Sequence, residues 1–190
     1  ALVGVAWLLL PRGVPARWTG ICLMLPAFAL EPERPATDSA WIDVLDVGQG
    51  LAVVVRTANH ALLYDTGPAY STEANAGQRV VLPYLRAIGV NRLDALVVSH
   101  RDKDHAGGIA TIRQALPVER LLTSALGNGG EPCVADQSWE WDGVRFSVVH
   151  PLAVDYDSPT KKPNNLSCVL RVEASGQVAL LTADIEAKDE

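Results

Sequence analysis

Four side chains able to bind a divalent cation fall within six residues, His100, Asp102, Asp104 and His105, in the run Ser99-His100-Arg101-Asp102-Lys103-Asp104-His105. The chain has only four histidines among 190 residues, and two of them lie here. Imidazole and carboxylate both ligate divalent metals, and carboxylate in place of imidazole moves a site from Zn²⁺ toward harder ions such as Mn²⁺. The competing reading is a solvated turn with ordinary surface charges, which does not account for half the histidines falling in one hexad.

The elements around the run must converge these groups. Residues 93–98 are almost continuously apolar, as in a strand buried on both faces, and His100 is then among the first side chains past its C-terminal tip. The chain has to turn tightly there, and Gly107-Gly108 allows close backbone approach before a helical pattern over residues 109–116. Upstream, residues 41–45 and 51–57 read as paired strands joined at Asp46-Val47-Gly48-Gln49-Gly50, where two glycines suit positive φ. Residues 60–65 form the next strand, whose tip brings Asp65 and Thr66-Gly67 to the edge of the metal run. Residues 80–88 have helical spacing and stop at Gly89. Downstream, strands are predicted at 120–123, 139–141, 144–149, 167–172 and 178–182, with Gly127-Asn128-Gly129-Gly130 as a loop and Asp142-Gly143 and Ser175-Gly176 as hairpin signals. Asp184 follows the last of these strands, where a buried approach ends. The pattern predicts an α/β domain of two strand-rich halves with helices outside.

The formal net charge of −6 argues against a broad basic nucleic-acid surface. Any contact with DNA must be local or metal-mediated, because bound cations themselves supply positive charge for phosphate. Cys22, Cys133 and Cys168 have no paired ligand spacing, and an odd count gives no disulfide framework, so all three read as small apolar residues. His150, immediately before Pro151, reads as a strand end, and Arg101 and Lys103 read as solvated loop charges able to reach a phosphate oxygen.

Residues 1–30 differ in kind. Residues 1–10 are almost wholly apolar, 11–17 form a Pro/Gly/Arg turn and 18–30 are apolar again. This pattern predicts the end of a membrane region, although the second run, at about 1.5 Å per residue, reaches only about two-thirds of a hydrocarbon core. A signal peptide with Arg12 and Arg17 as its basic region and Ala27-Phe28-Ala29 as its cleavage signature is a second reading, and a buried hairpin a third. In the first two, the arginines favour the cytoplasmic side and place the domain after Glu31 outside the cytoplasm. Residues 31–39 make a polar Pro-rich linker to the domain at 40–190. The chain opens on Ala, which predicts a fragment of something longer.

The metal run resembles the signature His-x-His-x-Asp-His of the metallo-β-lactamase fold hydrolases, with Asp102 at the second His position. That variant occurs with Leu45-Asp46-Val47-Gly48-Gln49-Gly50, Tyr64-Asp65-Thr66-Gly67, Asn164-Asn165-Leu166-Ser167 and Leu180-Leu181-Thr182-Ala183-Asp184. The set resembles the C-terminal domain of the ComEC family of competence DNA-uptake proteins over roughly residues 40–190. The resemblance implies an αββα sandwich, C-terminally truncated because the family's later His-His-Gly-Ser element is missing from these residues. It implies two divalent ions, Mn favoured over Zn. One would be held by His100, Asp102 and Asp184 and the other by Asp104, His105 and Asp184. Asn164 is a further candidate ligand where enzymes of the fold supply His, Asp46 and Asp65 would hold the ligands by hydrogen bonds, and Asp104 would be catalytic.

For function, the resemblance implies uptake of DNA in natural transformation, with cleavage of phosphodiesters in a shared metal-activated water mechanism. The partners would be single-stranded DNA, the membrane through the N-terminal segments and other DNA-uptake proteins. The location would be the bacterial inner membrane, multi-pass, with the hydrolase domain on the extracytoplasmic side. Two alternatives stand beside it: a generic hydrolase of a small ester or lactone, and a non-catalytic module of the uptake channel.

Overall fold

The chain divides into two units, Ala1–Glu33 and Arg34–Glu190. The computed structural model describes residues 2–11, 13–29, 32–125, 127, 129–158 and 161–186. Arg12, Leu30, Glu31 and Asn128, named above for the basic turn, the second apolar run, the linker and the glycine loop, lie outside the described residues.

In the first unit, α1 (Leu2–Leu8) and α2 (Gly20–Ala29) pack as a helical pair. Arg17 donates from Nε and Nη2 to the carbonyl of Leu8, at 3.2 and 2.7 Å. It thereby satisfies an acceptor that the end of α1 leaves open. Leu2, Val3, Leu9, Ile21 and Leu25 remain exposed. Among the described residues no helix is long and apolar enough to cross a membrane.

The second unit is built on two sheets. The larger has the order β1 (Trp41–Val44), β2 (Val53–Arg56), β3 (Ala61–Tyr64), β4 (Leu93–Val98), β5 (Val118–Thr123), β6 (Glu131–Pro132). β1 to β3 are antiparallel and β3 to β6 parallel. The smaller is an antiparallel sheet in the order β10 (Gln177–Leu181), β9 (Val169–Ala174), β8 (Val144–His150), β7 (Ser138–Trp141). β2, β3 and β4 are buried at every position, which explains their largely apolar runs: both faces are covered. Val53, Val55, Leu62, Tyr64 and Val97 face Phe146, Val148, Leu170 and Val172 of the smaller sheet. Val54, Leu63, Leu96 and Val98 pack against Val81, Leu82, Leu85 and Ile112 from α3 (Leu82–Ala87) and α5 (Ile109–Ala115).

Three of the four layers of an αββα sandwich are seen among the described residues. The outer face of the smaller sheet carries exposed Val178 and Leu180 rather than a helix. The strand predictions hold to within a few residues; β6, two residues long, has no sequence signal. The helix predicted at 80–88 is entered through a π-helical turn, Gly77–Val81. The reading of all three cysteines as unpaired is overturned. Cys133 and Cys168 are joined by a disulfide, Cα to Cα 5.8 Å, between the chain just after β6 and the start of β9. Parity cannot exclude a bridge when the third cysteine, Cys22, is exposed in the other unit.

Candidate metal centre

β3 and β4 run in parallel, so their C-terminal tips bring Asp65 and Ser99-His100 to one edge of the sandwich. Asp65 is wholly buried and left-handed at φ 60°, a conformation that Asp tolerates better than most side chains. Its carboxylate takes three hydrogen bonds: Oδ1 from the Ser99 N–H at 2.7 Å, and Oδ2 from Ser99 Oγ at 2.6 Å and from His105 Nδ1 at 2.8 Å.

These contacts fix the imidazole tautomers. The single hydroxyl proton of Ser99 goes to Asp65, so Ser99 Oγ can only accept from His100 Nδ1, 3.0 Å away. In their neutral forms both histidines therefore use Nδ1–H inside the protein and keep Nε2 as a lone pair. His100 Nε2 is buried and has no hydrogen-bond partner among the described residues. His105 Nε2 lies 3.4 Å from Asp184 Oδ2, and His100 Nε2 lies 3.7 Å from Asp102 Oδ2. His100, His105 and Asp184 each offer a ligand atom within 4.8 Å of the others. Burial pushes the His100 imidazole below its ordinary value, and the neighbouring His105 adds to the fall. Burial acts on His105 in the same direction, but the hydrogen bond and charge of Asp65 outweigh it and leave His105 raised.

The tight turn predicted after His100 is completed by a short helix. Lys103–Ala106 forms a one-turn helix, α4, with Asp102 at its N-cap position. The Asp102 side chain makes no capping bond there; it is 46 % exposed and faces His100. Asp104, in the first turn, lines a cavity of about 430 Å³ with His105 and Asp184. Gly50, at φ 124°, lies so close to the Asp104 carbonyl that any Cβ would collide with it. The motif Asp46-Val47-Gly48-Gln49-Gly50 thus braces the metal run through its backbone. Thr66 braces it from the other side, donating from N and Oγ1 to the His105 carbonyl at 2.8 and 2.9 Å.

The remaining sequence candidates have contacts of their own. Asp46 is exposed and its carboxylate accepts from the Gly48 N–H at 3.2 Å, closing its own turn. Asn164 opens a single turn, Asn164–Leu166, while its neighbour Asn165 is the buried one, its Oδ1 without a hydrogen-bond partner among the described residues. His150 ends β8 and donates from Nδ1 to the Ser167 carbonyl at 2.9 Å. Sequence reasoning passed over two residues that matter to the geometry, Ser99 and Ser167, the latter with Oγ 3.5 Å from His100 Nδ1. A small hydroxyl residue between an apolar strand and a candidate His ligand was the available signal for Ser99.

The family model of the metallo-beta-lactamase superfamily matches residues 45–187, and the chain belongs to that superfamily. It is 38 % identical over its whole length to "Competence protein ComA" of Neisseria gonorrhoeae, covering 26 % of that protein. It is 36 % identical to "Recombination protein 2" of Haemophilus influenzae over 88 % of this chain and 21 % of the relative. The chain thus spans about a quarter of the length of the curated relatives it matches. A metallo-beta-lactamase of Cronobacter sakazakii superposes with a TM-score of 0.51 at 17 % identity, over 79 % of this chain and 62 % of that one, which shows the shared fold.

The fold family implies divalent metal, and the donors here fit it. Two bare, pre-oriented imidazole nitrogens, one of them an orphaned buried acceptor, and a half-exposed carboxylate face one another. A buried acceptor with no partner costs about 1–3 kcal/mol, a cost that a cation would offset.

Proposed function

We propose that this chain is the metal-dependent hydrolase domain of a DNA-uptake protein and that it cleaves phosphodiester bonds of incoming single-stranded DNA during natural transformation. The observation that carries the reading is the convergence of His100 Nε2 after β4, His105 Nε2 on α4 and the Asp184 carboxylate after β10. The names of the relatives supply the substrate class.

His100, His105 and Asp184 would hold metal, with Asp102 and Asp104 completing a set for two ions and Asn164 as a further candidate. A carboxylate at position 102 favours Mn²⁺ over Zn²⁺. The metals would supply Lewis acidity, lowering the pKa of water and stabilising negative charge on the phosphoryl oxygens. The protein's own part is orientation. Asp65 holds the His105 ring and, through Ser99, the His100 ring, so that both nitrogens are aimed before metal arrives. Asp104, on the cavity wall beside His105 and Asp184, is placed to orient the attacking water and take its proton.

The exposed apolar side chains of the first unit support attachment to a membrane, here assigned to the bacterial inner membrane. The Cys133–Cys168 disulfide supports an oxidising location, the extracytoplasmic side.

The test is Mn²⁺-dependent nucleotide release from single-stranded DNA by the full chain, with a lactone and a p-nitrophenyl ester assayed in parallel. Asp104→Ala should lower release at least 10²-fold while circular dichroism stays unchanged. Turnover of lactone or ester with none of DNA would move the assignment to a small-molecule hydrolase. Metal binding without turnover of any substrate would move it to a non-catalytic module.

A further inference from the structure

Two grooves meet on the outer side of the metal loop. One, about 710 Å³, is lined by Arg101, Lys103 and Arg113 together with Ala106, Ile109 and Ala125. The other, about 260 Å³, is lined by Arg101, Ala125, Tyr156 and Lys161. Arg101 and Ala125 belong to both, so the grooves adjoin at Arg101, the residue between His100 and Asp102.

In a chain of net charge −6, Arg101, Lys103, Arg113 and Lys161 gather four cations along these grooves. Lys161 is already bound to Asp155 at 2.8 Å. Arg101 and Lys103 are exposed and make no ion pair among the described residues, although they bracket Asp102. Asp102 faces His100, and Asp104 and His105 line the cavity with Asp184, while Arg101 and Lys103 line the groove. A polyanion lying along both grooves as one track would meet two uncommitted cations within one residue of the proposed ligands. Phosphodiester groups spaced along a strand suit that geometry, whereas a small neutral ester has no charge to place there.

We propose that Arg101 and Lys103 bind consecutive backbone phosphates of a single-stranded DNA that lies along the track joined at Arg101 and so delivers its next phosphodiester to the metal centre. This rests on the nuclease reading for what happens after binding, but binding itself is separable from it.

The test is anisotropy of a fluorescein-labelled oligo(dT) with the full chain in EDTA, where hydrolysis is silent, at several salt concentrations. The double variant Arg101→Gln/Lys103→Gln should bind more weakly, and its slope of log K against log salt should be shallower by about 1.4, two contacts at about 0.7 each on a single strand. An abasic oligonucleotide of equal length should compete as well as oligo(dT), because the contacts are to phosphate. Arg145→Gln, which removes an exposed charge from β8, should leave binding unchanged. Equal binding by wild type and double variant, an equal loss in Arg145→Gln, failure of the abasic strand, or no binding by the wild type would each overturn the track. Loss of binding in the double variant with no Mn²⁺-dependent cleavage by the wild type would keep the track and remove the nuclease. Cleavage by the wild type with unchanged binding in the double variant would do the reverse.

Discussion

Asp65 does more at this site than any candidate ligand. One buried carboxylate fixes two imidazole tautomers, one directly and one through Ser99, so its removal should be felt as lost metal affinity rather than lost fold. Asp65→Asn keeps size and the left-handed backbone but puts an N–H₂ where a donor now points. We expect Mn²⁺ affinity to fall about 10–100-fold, measured by calorimetric titration, with the thermal midpoint moving much less. At this scale the sequence was highly legible where chemistry is concentrated: the metal run was visible as four ligand-type residues in a hexad. It was opaque where a residue's role comes from partners remote in sequence. Ser99 acts through Asp65, 34 residues away, and Asn165 rather than Asn164 is buried because of how one short turn is set.

The elements themselves were legible wherever both faces are buried, because such strands are nearly continuous apolar runs. The one-turn helix α4 was not, since four residues carry no period. Hairpin turns show why some short signals carry weight beyond their own strands. Asp142 in the β7–β8 turn, left-handed at φ 50°, accepts from Thr57 Oγ1 at 2.6 Å, the Asn59 N–H at 2.7 Å and Asn59 Nδ2 at 2.8 Å, with His60 Nδ1 at 3.2 Å. The turn of the smaller sheet is thereby tied to the β2–β3 turn of the larger. Burial would raise the Asp142 carboxyl, but these hydrogen bonds outweigh it and hold it well below the usual carboxylate range. A depressed folded pKa contributes stability above the unfolded carboxylate value of about 3.9, which is lost as pH falls toward the folded value. Asp142→Ala should cost about 2 kcal/mol at neutral pH in urea denaturation. Asp142→Asn, which retains the backbone preference, should show a flatter loss of stability between about pH 5 and 2 than wild type.

For the whole molecule, the two sheets meet across one apolar layer, and the Cys133–Cys168 bridge closes a loop of 35 residues between them. By the chain-entropy estimate such a loop contributes about 3–4 kcal/mol. Cys133→Ala/Cys168→Ala should lower the urea midpoint accordingly, and dithiothreitol should do the same to wild type but nothing further to the variant. The bridge also lies next to the site, because the Cys168 N–H donates to the Ser99 carbonyl at 2.9 Å and Tyr64 OH donates to the Cys168 carbonyl at 2.6 Å. Fold class was readable from strand order and from the motifs, whereas the pairing of two cysteines from different sheets depends on a topology that no local pattern encodes.

Everything proposed about catalysis stands on one physical statement, that His100, His105 and Asp184 form a pre-oriented divalent-metal site. Titration with Mn²⁺, following the free ion by electron paramagnetic resonance, tests it directly in the wild type and in His105→Ala. The account predicts saturable binding by the wild type, weakened at least about 100-fold in a variant that keeps its far-ultraviolet spectrum. No binding by folded wild type, or equal binding by the variant, would contradict it.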